Sequence, residues 1–382
     1  MKKSKRGNVE PFIVMDVMEN ARKAEDRGED IIHMEVGQPG TAAPIKAQQA
    51  LIRQMRNDSL GYTVALGLPA LRSRISRLYG EWYNVDLDPK RVVVTSGSSG
   101  GFILSFASLF DVRQKVGIGS PGYPSYRQIL KAQDLEPVLI DTKIENKYQL
   151  TSNDIKNKSL SGVLIASPAN PTGSMVDYKT MESLINTAIE ENISFISDEI
   201  YHGIEYENKA VSALQITNEC YVINSFSKYF SMTGWRIGWM VVPEDHIRQI
   251  ERLAQNMFIC APHASQVAAL HAIDCKDELN TNLATYKKNR ELMKTGLMEA
   301  GFTKISPPDG AFYIYADISE FSDDSLEFTK LVLKEAKVAI TPGLDFDPKR
   351  GETTVRFSYA RSTSDIINGL ERLNSFMKKK FK

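Results

Sequence analysis

Residues 162–199 read GVLIASPANPTGSMVDYKTMESLINTAIEENISFISDE, and the fold is decided here. The two ends, GVLIASP at 162–168 and ISFISDE at 193–199, are short apolar runs that stop in Ser, Pro, Asp or Glu. Such runs, apolar without alternation, are expected of strands covered on both faces. The helical stretch 177–192 lies between them. Strand, helix and strand in one continuous segment imply α/β layering with a largely parallel sheet.

Outward from this unit the pattern recurs. RVVVT at 91–95 and CYVINSF at 220–226 read as further buried strands. Ahead of the first, Leu71, Ile75, Leu78 and Trp82 repeat at spacings of four, three and four, which is one face of a helix. The C-terminal part differs. A charged helical stretch at 286–300 precedes AFYIYADI at 311–318, VRFSYA at 355–360 and a helix at 364–379, the pattern of a smaller α+β unit. The expected organisation is a large α/β domain over 45–285 and a small domain over 286–382, with the segment 1–44 joining the small one.

Composition narrows the function. Lys plus Arg number 47 and Asp plus Glu number 47 in 382 residues, so no net basic surface favours nucleic acid or anionic lipid. The 42% hydrophobic and 25% charged content is that of an ordinary globular chain. Cys220, Cys260 and Cys275 are too few and too dispersed for a disulfide framework or a structural zinc site, and no metal is expected. Lys2, Lys3, Lys5 and Arg6 are followed by no apolar stretch, and runs such as IGWMVV at 237–242 are too short to span a membrane. A cytoplasmic location is expected.

Two short motifs point elsewhere. GSSGG at 97–101 satisfies the nucleophile-elbow pattern of a serine hydrolase, with Ser99 as nucleophile and Asp198 and His263 following in the required order. No histidine is marked as standing on a loop above the sheet, which a triad also needs. GIGSPG at 117–122 satisfies a dinucleotide fingerprint, with Asp141 at the end of the next apolar run. Pro121 and Pro124 make it a better turn, one that presents Tyr123.

The chemistry concentrates in SFSKYFSMTGWR at 225–236. Lys228 follows a strand that ends in hydroxyl residues, with Phe226, Tyr229, Phe230, Met232 and Trp235 around it. Desolvation of this kind favours the neutral amine that attacks a carbonyl. Asp198 ends another strand, with Tyr201 three residues on, and Asn170 sits among Pro168, Pro171 and Gly173 at the end of a third. Carboxyl ends of parallel strands are where ligands bind in such sheets. Taken singly, each has a plain structural reading: a solvated lysine, a helix cap, a turn.

Together these residues resemble the class I/II aminotransferases, fold type I enzymes that depend on pyridoxal 5′-phosphate. The resemblance runs from VGQPG at 36–40 through GYTVALGLPALR at 61–72 to VRFSYA at 355–360. It implies that Lys228 forms the Schiff base with the cofactor and moves the substrate proton. It implies that Asp198 keeps the pyridine nitrogen protonated, that Tyr201 and Asn170 bond the ring oxygen, and that Tyr123 stacks on the ring. Gly97, Ser98 and Ser99, opening a helix after a strand, would hold the phosphate with Ser225, Ser227 and Arg236. Arg356 would take the substrate carboxylate, with the backbone at Gly37 beside it. Tyr62 would reach the phosphate of a neighbouring subunit, which implies a homodimer with shared active sites.

The resemblance implies amino-group exchange between an L-amino acid and a 2-oxo acid, with glutamate and 2-oxoglutarate as one couple. A lyase breaking a β-carbon–sulfur bond begins with the same proton abstraction and stays open. A regulator built on this fold would need a DNA-binding domain ahead of it, for which the first forty residues are too few.

Overall fold

In the computed structural model, which describes residues 1–381, the apolar runs become strands with small changes of boundary. β1 (Ile32–His33) lies near the N-terminus. The central region supplies β2 (Val92–Thr95), β3 (Lys115–Ser120), β4 (Glu136–Asp141), β5 (Gly162–Ala166), β6 (Ser194–Asp198), β7 (Tyr221–Ser225) and β8 (Gly238–Val241). They pair in the order β2-β8-β7-β6-β5-β3-β4. The five strands from β7 to β4 in that order are parallel, whereas β8 runs antiparallel to both β2 and β7. The IGWMVV run, which the sequence excludes only as a membrane span, is this reversed strand.

The helices cover the sheet as their periodicity requires. Helix Pro69–Tyr83 buries Leu71, Ile75 and Leu78, and its Trp82 packs edge-on against Tyr229. Burying each such aliphatic side chain is worth about 1.5–3 kcal/mol. Helix Tyr178–Glu190 is capped by Asp177, whose carboxylate accepts from the Thr180 N–H at 2.8 Å. It lays Met181, Leu184, Ile185 and Ala188 on the sheet.

Because β3, β5, β6 and β7 are parallel, their carboxyl ends share one edge. Tyr123, Asn170, Asp198 and Ser225 are therefore gathered by topology alone. The GIGSPG glycines do not form a phosphate loop: Gly117 and Gly119 lie inside β3. A Cβ on Gly117 would sit 2.8 Å from Leu160, so that glycine makes room for packing.

A second apolar cluster lies beyond the sheet. β9 (Tyr313–Asp317), β10 (Val338–Ala339), β11 (Thr341–Pro342) and β12 (Thr354–Ser358) form two small sheets. β11, β12 and β9 are antiparallel, and β1 pairs in parallel with β10. Ile32 and Met34 share this cluster with Phe302, Phe312, Val338 and Phe357. The charged helix begins ten residues before the expected start, at Lys276, and runs to Glu299. Leu279 packs with the large sheet, while Tyr286, Met293 and Leu297 pack with the second cluster. Among the described residues no helix is long and apolar enough to cross a membrane.

Candidate active site

A cavity of about 210 Å³ opens at the carboxyl edge of the large sheet. Eleven of the residues singled out from the sequence line it: Gly37, Ser98, Ser99, Tyr123, Asn170, Asp198, Tyr201, Ser227, Lys228, Arg236 and Arg356. Segments from 37 to 356 in the chain thus converge on one space.

Lys228 follows β7 and extends into the cavity, where Nζ donates to the Gly37 carbonyl at 2.7 Å and lies 5.6 Å from the Tyr201 ring centroid. Burial, then the positive Arg356 and Arg236, hold its ammonium down to about 8, with Asp198 pulling the other way. At pH 7 about one such amine in ten is neutral, far more than for a solvated lysine. Asp198, at the end of β6, is buried, and burial pushes its carboxyl up to about 6 against hydrogen bonds from Tyr126 and Ile200. The Tyr126 hydroxyl donates to Oδ2 and the Ile200 N–H donates to Oδ1 at 3.1 Å.

The anion end is main-chain built. Helix Gly97–Leu109 begins at the cavity with no side-chain cap on its first turn, so its dipole and the N–H groups at Ser98 and Ser99 are available to an anion. Gly97 has φ +68°, and a Cβ there would lie 2.4 Å from Arg236 Nη2. A Cβ on Gly238 would lie 3.0 Å from the Ser98 nitrogen. Both glycines are required by close approach. Arg236, exposed in the single chain, is held by an Nη1 bond to the Thr233 carbonyl at 2.9 Å. Ser225 stands one layer back, donating to Ser227 Oγ at 2.8 Å.

Arg356 rises into the cavity from β12, its guanidinium 4.5 Å from the Tyr313 ring and 4.7 Å from the Phe346 ring. Nη1 donates to Asn170 Oδ1 at 2.8 Å, while Nη2 donates to the Glu35 carbonyl and, at 3.2 Å, to Thr341 Oγ1. Nε is buried without a partner. Gly37 is small because the Tyr313 hydroxyl would sit 1.7 Å from a Cβ there. That hydroxyl is 2.7 Å from the hydroxyl of Tyr201.

The serine-hydrolase arrangement is not assembled. Asp198 is bonded to Tyr126 and Ile200, and His263 Nδ1 to the Gly61 carbonyl at 2.8 Å. Ser99 faces the cavity beside Arg236 and Lys228 instead. Tyr62 lies outside the cavity, 83% exposed.

Several lining residues escaped the sequence reading. Tyr126 lies three residues after Tyr123, and Phe12, Met15 and Met18 repeat at threes, so both sets had a helical-face signal. Tyr313, which also lines the cavity, and Glu35 and Thr341, which bond Arg356 behind it, had none, because only the tertiary fold brings them to Arg356.

A family model described as "Aminotransferase class I and II" matches residues 29–373. The chain belongs to that family. A valine–pyruvate aminotransferase of Mycobacterium tuberculosis is 40% identical over 97% of this chain and 97% of its own. The crystal structure of an aminotransferase from Mycobacterium tuberculosis is 39% identical, with a TM-score of 0.97 over 99% of this chain and 100% of that one. Aspartate aminotransferase from Thermus thermophilus with maleate is 26% identical, with a TM-score of 0.93 over 98% of this chain and 99% of that one. This aminotransferase is a pyridoxal 5′-phosphate enzyme. Its cavity fits the cofactor: a desolvated amine, a buried carboxylate for a ring nitrogen, and an anion cradle that a Cβ at Gly97 or Gly238 would fill.

Proposed function

We propose that the cavity transfers the amino group of an L-amino acid with an apolar side chain to a 2-oxo acid, with Lys228 as the amine that would hold the cofactor. Bound there, pyridoxal 5′-phosphate supplies the carbonyl that takes up the amino group and a ring that absorbs the electron pair left by the α-proton. Ser98, Ser99, Ser227, Arg236 and the helix N-terminus at Gly97 would hold its phosphate, with Ser225 supporting Ser227. Asp198 would pair with the ring nitrogen, Tyr123 would pack on the ring, and Asn170 and Tyr201 would hydrogen-bond the ring oxygen.

Arg356 binds the substrate carboxylate. Three of its five N–H groups are engaged within the protein, and the buried Nε and one further N–H remain for an anion. Lys228 Nζ would take the proton from the substrate α-carbon and return it to the cofactor carbon on the other side of the amino nitrogen. Gly37 O orients that amine, and the aromatic walls keep water from competing for the proton.

The single observation that carries this reading is the Lys228 amine between Asp198 and Arg356 in one cavity. The apolar donor is supported by Phe12, Val14, Met15 and Met18, which line the same cavity. The name of the relative that acts on valine and pyruvate points the same way. Glutamate with 2-oxoglutarate is the couple to test against alanine with pyruvate for the second half-reaction.

The test is a panel of amino donors followed in a single turnover to the pyridoxamine form of the cofactor. Valine, leucine and alanine are expected to convert faster than aspartate, and borohydride reduction is expected to label Lys228. Faster conversion of aspartate, or a label on another lysine, would contradict the reading. Ammonia and pyruvate released from a β-substituted donor without an acceptor would show elimination instead.

The same proposal places the enzyme in the cytoplasm as a homodimer. Tyr62 would reach the cofactor phosphate of a second copy. Residues 45–285 would form the cofactor domain, and 1–44 with 286–382 the second one.

A further inference from the structure

Helix Ile13–Glu25, which carries three residues of the apolar wall, has no cap of its own: Phe12 before it makes no side-chain bond to the first turn. Its first amides are met from the far end of the chain. The Ile13 and Val14 N–H groups donate to Asp345 Oδ1 and Oδ2 at 3.0 and 3.2 Å. Asp345 is fully buried, in the turn Gly343–Asp345 that follows β11.

That turn is tied to the other walls as well. The Asp345 carbonyl accepts from Arg127 Nη2 at 3.0 Å, and the Phe346 carbonyl accepts from the Gly122 N–H at 3.0 Å. The Phe346 ring lies against the Arg356 guanidinium. Upstream of the helix, Glu10 is bonded by Gln128 and Lys131 at 2.9 and 2.7 Å. The segment bearing Phe12 is thus pinned on both sides, but the helix itself is pinned at its start by Asp345.

We propose that Asp345 is a positioning residue for donor specificity: its carboxylate fixes helix Ile13–Glu25 at a set distance from Arg356. Arg356 holds the carboxylate end of the donor, and Val14, Met15 and Met18 meet its side chain, so Asp345 sets the length between them. The inference rests on the apolar-donor reading above. A carboxylate bonded to two first-turn amides is charge-assisted and aligned with the helix dipole. Its removal leaves both amides unpaired, one of them on the buried Val14.

The experiment uses the holoenzyme and the variants Asp345→Ala and Asp345→Asn. Asn keeps one acceptor oxygen and turns an NH₂ toward the other amide, so it is the milder change should Ala fail to fold. Hydrogen exchange over residues 12–18 is expected to quicken at least about tenfold in Ala, with Asn intermediate. The loss in kcat/KM is expected to grow from alanine through 2-aminobutyrate to valine and leucine, carried by KM more than by kcat. Unchanged exchange over 12–18, or a loss equal for every donor, overturns the proposal. A wild type that converts none of the apolar donors overturns the donor reading instead, and the exchange measurement then decides the Asp345 anchor alone.

Discussion

The two ends of the cavity are built by different means. At the cofactor end, Ser98, Asn170, Asp198 and Lys228 all stand just beyond strands of one sheet, most of them parallel. At the substrate end, Phe12, Met18 and Gly37 come from the start of the chain and meet Tyr313 and Arg356 of β9 and β12, about 300 residues on. Topology alone sets the first. The second depends on a chain of side-chain contacts, so it has more positions at which small changes can retune it.

The largest losses are expected at the cofactor end. Lys228→Ala should lower steady-state transamination by at least about 10⁴-fold, since it removes both the nucleophile and the proton carrier. A remaining rate within tenfold of wild type would mean that another group does the chemistry. Asp198→Asn should lower the single-turnover rate by about 10²–10³-fold while the amide still accepts from Tyr126. A change of less than threefold would remove the carboxylate from the mechanism.

At the substrate end the expected effects are smaller and fall on binding. Arg356→Lys keeps the charge but loses the fork between Asn170 and Glu35. The KM for the amino donor should rise about 10–100-fold, equivalent to about 1.5–3 kcal/mol, with kcat changed less. A fall in kcat alone would place Arg356 with the chemical step.

The smallest effect concerns what supports Arg356. Glu35, whose carbonyl receives Nη2, is bonded through its carboxylate to His33 Nδ1 at 2.7 Å, and His33 Nε2 meets Glu25 at 3.0 Å. The hydrogen bond to Glu35, partly opposed by burial, raises the His33 imidazolium to about 9. A group raised in the folded state stabilises fully below its unfolded pKa of about 6.5 and loses that contribution as pH rises through about 9. His33→Gln should therefore cost about 1–2 kcal/mol at pH 6, discounted for the water that reaches the pair. In thermal melts the gap from wild type should close by pH 10; a gap independent of pH would assign it to packing.

The same division explains what could be read in advance. Strands β2, β5, β6 and β7, helix Tyr178–Glu190 and the lining residues next to them were legible because short apolar runs and their terminal polar residues are local signals. Arg356 was legible as a charge inside an apolar strand, and its role came from resemblance. β8 was not recognised as a strand, and nothing local marks its direction, which the pairing of β2 and β7 decides. Asp345 looks like a turn residue in sequence, and only the packing of the N-terminal helix, 331 positions away in sequence at Val14, gives its carboxylate partners.

The glycines at 97 and 238 leave no room for a side chain where the main chain closes on the anion cradle. The peptide groups of that anchor offer nothing that a simple residue exchange could retune. A designer seeking a new donor for this scaffold would gain little there; on the proposed reading the adjustable parts are the methionines that line the cavity and the turn at 343–345.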